Sequence, residues 1–183
     1  AWNAGKPAQA YADKSWELMH KPSRYLFGNA DNNDYETDFA GFGRTFPHAY
    51  GDQDYKYFKT RLTLSPAGDE LTADFARVLL DKEQLGQDDI PDYLAISFSS
   101  NDYVGHLFGA SSLEIEDNLA RLDKTLAGLF AYIDKKVGLA NTLIVLSADH
   151  GQPEVPGHLH QRGIKSAHYF DVESLDRAPA ITA

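Results

Sequence analysis

Two carboxylate–imidazole pairs are set apart by residue type and spacing. The first lies in Asp102-Tyr103-Val104-Gly105-His106, after the apolar run Tyr93-Leu94-Ala95-Ile96-Ser97-Phe98. The second is Asp149-His150-Gly151, after Thr142-Leu143-Ile144-Val145-Leu146-Ser147. Carboxylate oxygen and imidazole nitrogen suit zinc and similar divalent ions. Two such pairs at neighbouring strand ends point to two metal ions side by side, an arrangement used to hydrolyse phosphate esters.

The sequence between the pairs must bring them together. Ser111-Ser112-Leu113-Glu114 reads as a capping box, with a serine oxygen accepting an amide proton and Glu114 reaching back. Ile115, Leu119, Leu122, Leu126, Leu129, Phe130 and Ile133 then recur at helical steps. Lys135, Lys136 and Gly138 mark the helix end. Strand, long helix, strand is a βαβ unit, and such a crossover joins parallel strands. The two apolar runs are continuous, as in a sheet covered on both faces. Ligands of open α/β sheets bind outside the carboxyl ends of the strands. The expected fold class is therefore α/β, a mostly parallel sheet with flanking helices. Asp102, His106, Asp149 and His150 should meet at one sheet edge.

Elsewhere, residues 7–20 read as a helix with Tyr11, Ser15, Trp16 and Met19 along one side. Residues 28–55 read as a long surface excursion. Its acidic stretch, Asp31, Asp34, Glu36 and Asp38, lacks the calcium-loop pattern and reads as solvated. Lys59–Leu64 reads as a short extended segment. Ser65-Pro66 opens a helix over 69–85, with Leu71, Phe75, Val78 and Leu79 on its apolar face and Gly86 at its end. After His150 the chain is loop-like, with His158 and His160 as exposed loop residues whose alternative role is ligation or substrate contact. Ala167-His168-Tyr169-Phe170-Asp171 reads as a short strand or connector. His20 and His48 read as surface or packing residues, Trp16 and Tyr169 as packing. Ser100 and Asn101 either orient Asp102 or supply turn polarity.

The 183 residues suffice for one domain with a real core, and 43% are hydrophobic, which excludes disorder. The formal net charge is -10, from 27 acidic and 17 basic residues, which argues against a nucleic-acid-binding surface. An anionic substrate fits that balance only where metal charge inverts the local field. With no cysteine, disulfides, thiolate-bound zinc and thiol catalysis are excluded. No apolar run reaches membrane-spanning length and no signal peptide is visible. The chain begins at Ala1 without Met, which reads as a processed product or a fragment.

"SFSSNDYVGHLFG" (97–109), "RLDKTLAGLFAYIDKKVG" (121–138) and "TLIVLSADHG" (142–151) together resemble the alkaline phosphatase superfamily. The resemblance is to its type I phosphodiesterase/nucleotide pyrophosphatase branch, and within that to bacterial zinc alkaline phosphatases. It extends to "GDELTADFARVLLDKEQLG" (68–86) and through most of the chain. One departure is Ala110, where many relatives have proline. The resemblance implies that Asp102 and His106 ligate one zinc and Asp149 and His150 the other. It implies a phosphate ester as substrate, with a phosphodiester or nucleotide pyrophosphate as the alternative, and a periplasmic or secreted parent. It also calls for an upstream Asp ligand, a Thr or Ser nucleophile, an upstream Lys and Arg, and a distal His, none of which is recognisable here. Residues 1–183 therefore read as one partial domain, the middle of a larger hydrolase. The chain alone is expected to be inactive and prone to self-association. A non-catalytic piece or a metal-binding subdomain is the reading from another class.

Overall fold

The computed structural model describes residues 2–169. Its elements are β1 (Ser15–Trp16), β2 (His48–Ala49), α1 (Phe58–Thr63), α2 (Pro66–Lys82), α3 (Ser100–Phe108), α4 (Leu113–Lys136) and α5 (Pro156–Gln161), with short 3-10 turns between them.

Helix α2 forms near its expected place but runs Pro66–Lys82 rather than 69–85, and Ala73, Ala76 and Leu80 are its buried face while Phe75 of the expected face is exposed. Ser65 Oγ accepts the Ala67 N–H at 3.3 Å, Pro66 fits the first turn, and Lys82 lies in the last. Helix α4 covers its expected span with Ile115 and Leu129 of the expected stripe buried, but Leu119 is exposed and the cap is shifted by one residue. Ser112 Oγ, not Ser111, accepts the Ile115 N–H at 3.1 Å. Glu114 does not reach back. It is buried and faces His48 Nε2 at 3.3 Å.

Several expectations fail, each for a tertiary reason. Residues 7–20 form only a 3-10 turn over Pro7–Tyr11 before Asp13, at φ 60, turns the chain. Ser15 and Trp16 then pair antiparallel with Ala49 and His48. The Lys59–Leu64 segment is helical: Phe58 and Leu62, four apart, are buried, and this outweighs a weak alternation. The 28–55 excursion is not a surface loop throughout, because Phe42, His48 and Tyr50 enter the core. Its acids are not merely solvated. Asp31 Oδ1 accepts the Phe46 N–H at 3.0 Å, Asp38 Oδ1 accepts the Gly43 N–H at 2.9 Å, and Glu36 is buried. Arg61 seals the loop, donating to the Ala40, Gly41 and Ala49 carbonyls.

The parallel sheet does not appear among the described residues, whose one sheet is the antiparallel β1–β2 pair. Residues 91–99 and 142–148 are non-helical but join no ladder. The first still alternates as a strand does. Leu94, Ile96 and Phe98 pack against Ala76, Leu80 and Leu129, while Tyr93, Ala95 and Ser97 face outward. The second, Leu143–Leu146, is exposed. The apolar pattern specifies extended backbone, but a ladder also needs a neighbouring strand. Tyr169 is exposed rather than packed, and Phe170 and Asp171 of the expected connector lie outside the described residues.

The main core gathers Trp16, Phe42, Phe58, Leu62, Val104 and Phe108. At its edge the buried Asp117 carboxylate accepts from Trp16 Nε1 at 2.6 Å, Met19 N at 2.7 Å, Tyr25 OH at 2.5 Å and Arg121 Nε at 2.7 Å. Asp117→Ala strands four donors and should lower stability by about 3 kcal/mol or more, read as a lower urea midpoint. Burial raises the Glu36 carboxyl to about 7 against Asn33 bonds that lower it. A raised folded-state pKa favours the protonated fold. Stability from Glu36 is therefore full below about 4.5 and fades as pH rises through 7. Glu36→Gln should flatten the urea midpoint across that window, whereas an unchanged pH profile would remove Glu36 from this role.

Candidate functional site

Helix α3 positions the first pair. Asp102 and His106 are four residues apart and share a helix face, with Asp102 Oδ1 3.3 Å from His106 Nε2. The sequence signal for this helix is Val104 and Phe108, four apart and both buried. Its N-terminus has no side-chain cap of its own. Instead Asp69, from α2, accepts the Ser100 N–H at 3.1 Å. A carboxylate at this end satisfies an orphan donor and complements the helix dipole. Burial raises the Asp69 pKa, and the Ser100 bonds oppose that rise. Asn101 Oδ1 accepts from Asn118 Nδ2 at 3.2 Å and ties α3 to α4. Ser100 and Asn101 thus orient the helix rather than the carboxylate. Gly109, at φ 100, makes the turn into α4 that a Cβ would strain.

The second pair lies beyond the 142–148 segment. Asp149 Oδ1 accepts the His150 N–H at 3.1 Å, and Asp149 Oδ2 is 3.4 Å from His150 Nε2. His150 Nδ1 is 2.9 Å from the Gly151 carbonyl. A carbonyl only accepts, so Nδ1 carries the hydrogen and Nε2 is left to face the carboxylates. The Gly151 carbonyl first, then Asp149 and Asp102, hold the His150 pKa above its ordinary value.

The two pairs meet: His150 Nε2 is 3.7 Å from Asp102 Oδ1. The approach depends on a missing side chain. A Cβ at Gly105 would lie 2.5 Å from Gln152 Cδ. The loop is fastened again where the Ser111 hydroxyl donates to the Glu154 carboxylate. Gly105 stands in the motif the sequence marks, but Asp69 and Gln152 do not stand out there, because each acts through a neighbour distant along the chain.

These residues fit divalent metal. Nitrogen and oxygen donors at zinc distances in tetrahedral geometry lie roughly 3.3 Å apart, close to the 3.3 and 3.4 Å within the two pairs. Asp102 Oδ1 is a buried oxygen with no hydrogen-bond partner, as suits a group that faces a cation. Each pair supplies two donors. Among the described residues no three His, Asp or Glu side chains converge on one ion position. His158 and His160 lie on α5 rather than in a loop, and His158 Nδ1 is 3.2 Å from Tyr35 OH. His168 lies 5.9 Å, ring to ring, from His160. His48 is buried in the core, with Nδ1 3.1 Å from the Phe42 carbonyl, and His20 packs at a tilt against Tyr25.

Residues 8–181 match the family model for type I phosphodiesterase / nucleotide pyrophosphatase. The chain is 38% identical to alkaline phosphatase PhoV of Synechococcus elongatus over 162 residues, 88% of this chain and 29% of that protein. It is 35% identical over 182 residues to a protein of Myroides odoratus named calcium-transporting ATPase, 95% of this chain and 32% of that one. Alkaline phosphatase PafA of Elizabethkingia meningoseptica is 39% identical over 177 residues, 96% of this chain and 32% of that protein. The crystal structure of wild-type PafA superposes with a TM-score of 0.86 at 34% identity, covering 99% of this chain and 35% of that one. The chain thus spans about a third of the length of the curated relatives it matches.

Gly105→Ala tests how closely the two pairs are registered. Alanine is the better helix former, so far-UV circular dichroism should show no helix loss. Gln152 must move, and zinc affinity by calorimetric titration should fall roughly tenfold. Wild-type affinity in the variant would show that the contact does not set the site.

Proposed function

The chain belongs to the type I phosphodiesterase/nucleotide pyrophosphatase family, and on that premise we propose that it carries the metal-holding part of a zinc-dependent phosphate monoester hydrolase. In this reading it is the central part of a larger hydrolase domain, supported by its match to about a third of each relative. A periplasmic or secreted setting is proposed from the likeness to bacterial alkaline phosphatases. Among the described residues no helix is long and apolar enough to cross a membrane.

The observation that carries the reading is the approach of two Asp/His pairs, linked through the 3.7 Å contact of His150 with Asp102. Asp102 and His106 would hold one ion, Asp149 and His150 the other. Zinc, when bound, supplies charge that activates an oxygen nucleophile and stabilises the leaving oxygen. The chain's own residues set where that charge sits. The i, i+4 spacing on α3 fixes the first pair. The Gly151 carbonyl keeps the hydrogen on His150 Nδ1, so Nε2 remains the donor. Asp102, near both imidazoles, sets the spacing between the pairs. Two added cations would also offset a chain charge of -10 where a phosphate anion must approach. Phosphodiester or pyrophosphate hydrolysis is the second reading, favoured by the name of the family model. Relative rates on a monoester and a diester of one alcohol separate the two.

The test is zinc-dependent release of 4-nitrophenol from 4-nitrophenyl phosphate by the larger hydrolase of which this chain is proposed to be the central part, the chain alone being expected to show none. Turnover should fall on the order of 10³-fold in Asp149→Ala, about 4 kcal/mol of lost barrier lowering. Turnover indifferent to both zinc and this substitution would overturn the proposal.

A further inference from the structure

A cavity adjoins His106. It measures about 510 Å³ and lies between α1 and α3, under the loop that carries Phe39. Tyr103, His106 and Leu107 line it from one face of α3, and Lys59 and Leu64 line it from α1. The loop is fixed in place because the Thr37 N–H donates to the Leu107 carbonyl at 2.8 Å. Phe39 and Tyr103 are exposed by 48% and 44% respectively, although both are large aromatics. Exposed aromatics that flank a concave site are groups a ligand can cover.

Two further features select the ligand. Among the described residues that line the cleft there is no carboxylate, in a chain whose formal charge is -10. Its cation is Lys59, which pairs with no carboxylate among the described residues. The cleft wall thus carries a lysine and no carboxylate of its own. His106 belongs to both places: one turn back along α3 it faces Asp102, and beside Tyr103 and Leu107 it forms the cleft wall.

We propose that this cleft binds the aromatic alcohol portion of a phosphate ester, with the ring against Phe39 and Tyr103 and the ester oxygen directed toward the Asp102/His106 pair. The proposal rests on the hydrolase reading for its substrate, but the aromatic site itself does not depend on it. A group seated there leaves with its oxygen next to His106, and Lys59 stands beside the phosphate as it enters. Aryl esters are thereby favoured over short alkyl esters, since only a ring covers both aromatics.

The experiment uses 1-naphthol as probe, followed by its fluorescence, in buffer with EDTA so that no metal is needed. Saturable binding should weaken at least fivefold in Phe39→Ala and in Tyr103→Ala, while Tyr103→Phe keeps it. Both residues are about half exposed, and circular dichroism checks that the fold is retained. Absent binding, or binding indifferent to both alanine variants, overturns the proposal. So does binding that vanishes as protein concentration rises, because a second copy would then be the occupant. Where the protein turns over phosphate esters, the preference for phenyl over ethyl phosphate should shrink in Tyr103→Ala. Naphthol binding together with absent phosphatase turnover in the larger hydrolase would strike the hydrolase reading and leave the aromatic site standing.

Discussion

One buried carboxylate holds the structure in register. Asp117 accepts donors from Trp16, Met19, Tyr25 and Arg121, so a stretch of irregular chain is bound to one turn of α4. Glu116 beside it accepts the Leu26 and Phe27 amides. A buried charge is tolerated only when it is fully hydrogen-bonded, and here three of the four bonds come from residues some hundred positions upstream. The start of α4 is thereby fixed, and α3, joined to it at Asn118, is fixed in turn. The placement of Asp102 and His106 follows from that chain of contacts.

Local signals in the sequence were legible. Helices α2 and α4 follow from their apolar periods and serine caps, and the two Asp/His pairs follow from residue type and from their positions after apolar runs. Interactions between distant segments were not legible. Glu114 resembled a capping-box partner because spacing alone cannot distinguish an amide three residues back from an imidazole sixty-six residues upstream. Helix α3 was hidden because its motif, with Gly105 at its centre, resembles a loop. The acids of the 31–38 segment looked solvated, since nothing near them in sequence announces that Glu36 is buried or that Asp31 and Asp38 hold backbone amides.

The expected strands show where pattern ends and partnership begins. Residues 93–98 keep the two-residue alternation because α2 and α4 supply one apolar wall. Residues 143–146 have no such wall, and their apolar side chains face solvent. Extended conformation belongs to the segment, whereas hydrogen-bonded sheet belongs to a pair of segments. The likeness to PafA over 99% of the chain concerns the path of the backbone, which both features share.

The two halves of the site rest on unequal supports. Asp102 and His106 stand on a helix with Val104 and Phe108 buried beneath them. Asp149 and His150 follow a segment with little buried surface and no ladder. Amides of the helix are shielded by bonds that open only with wider unfolding, while residues 143–148 join no ladder. A ligand that engages both halves therefore meets one surface prepared in advance and another that must be ordered on contact. The entropy of that ordering falls almost wholly on the second pair. In the proposed metal site, occupancy would then have a direction: the helix-borne pair would fill first, and the loop-borne pair would be ordered onto what is already bound.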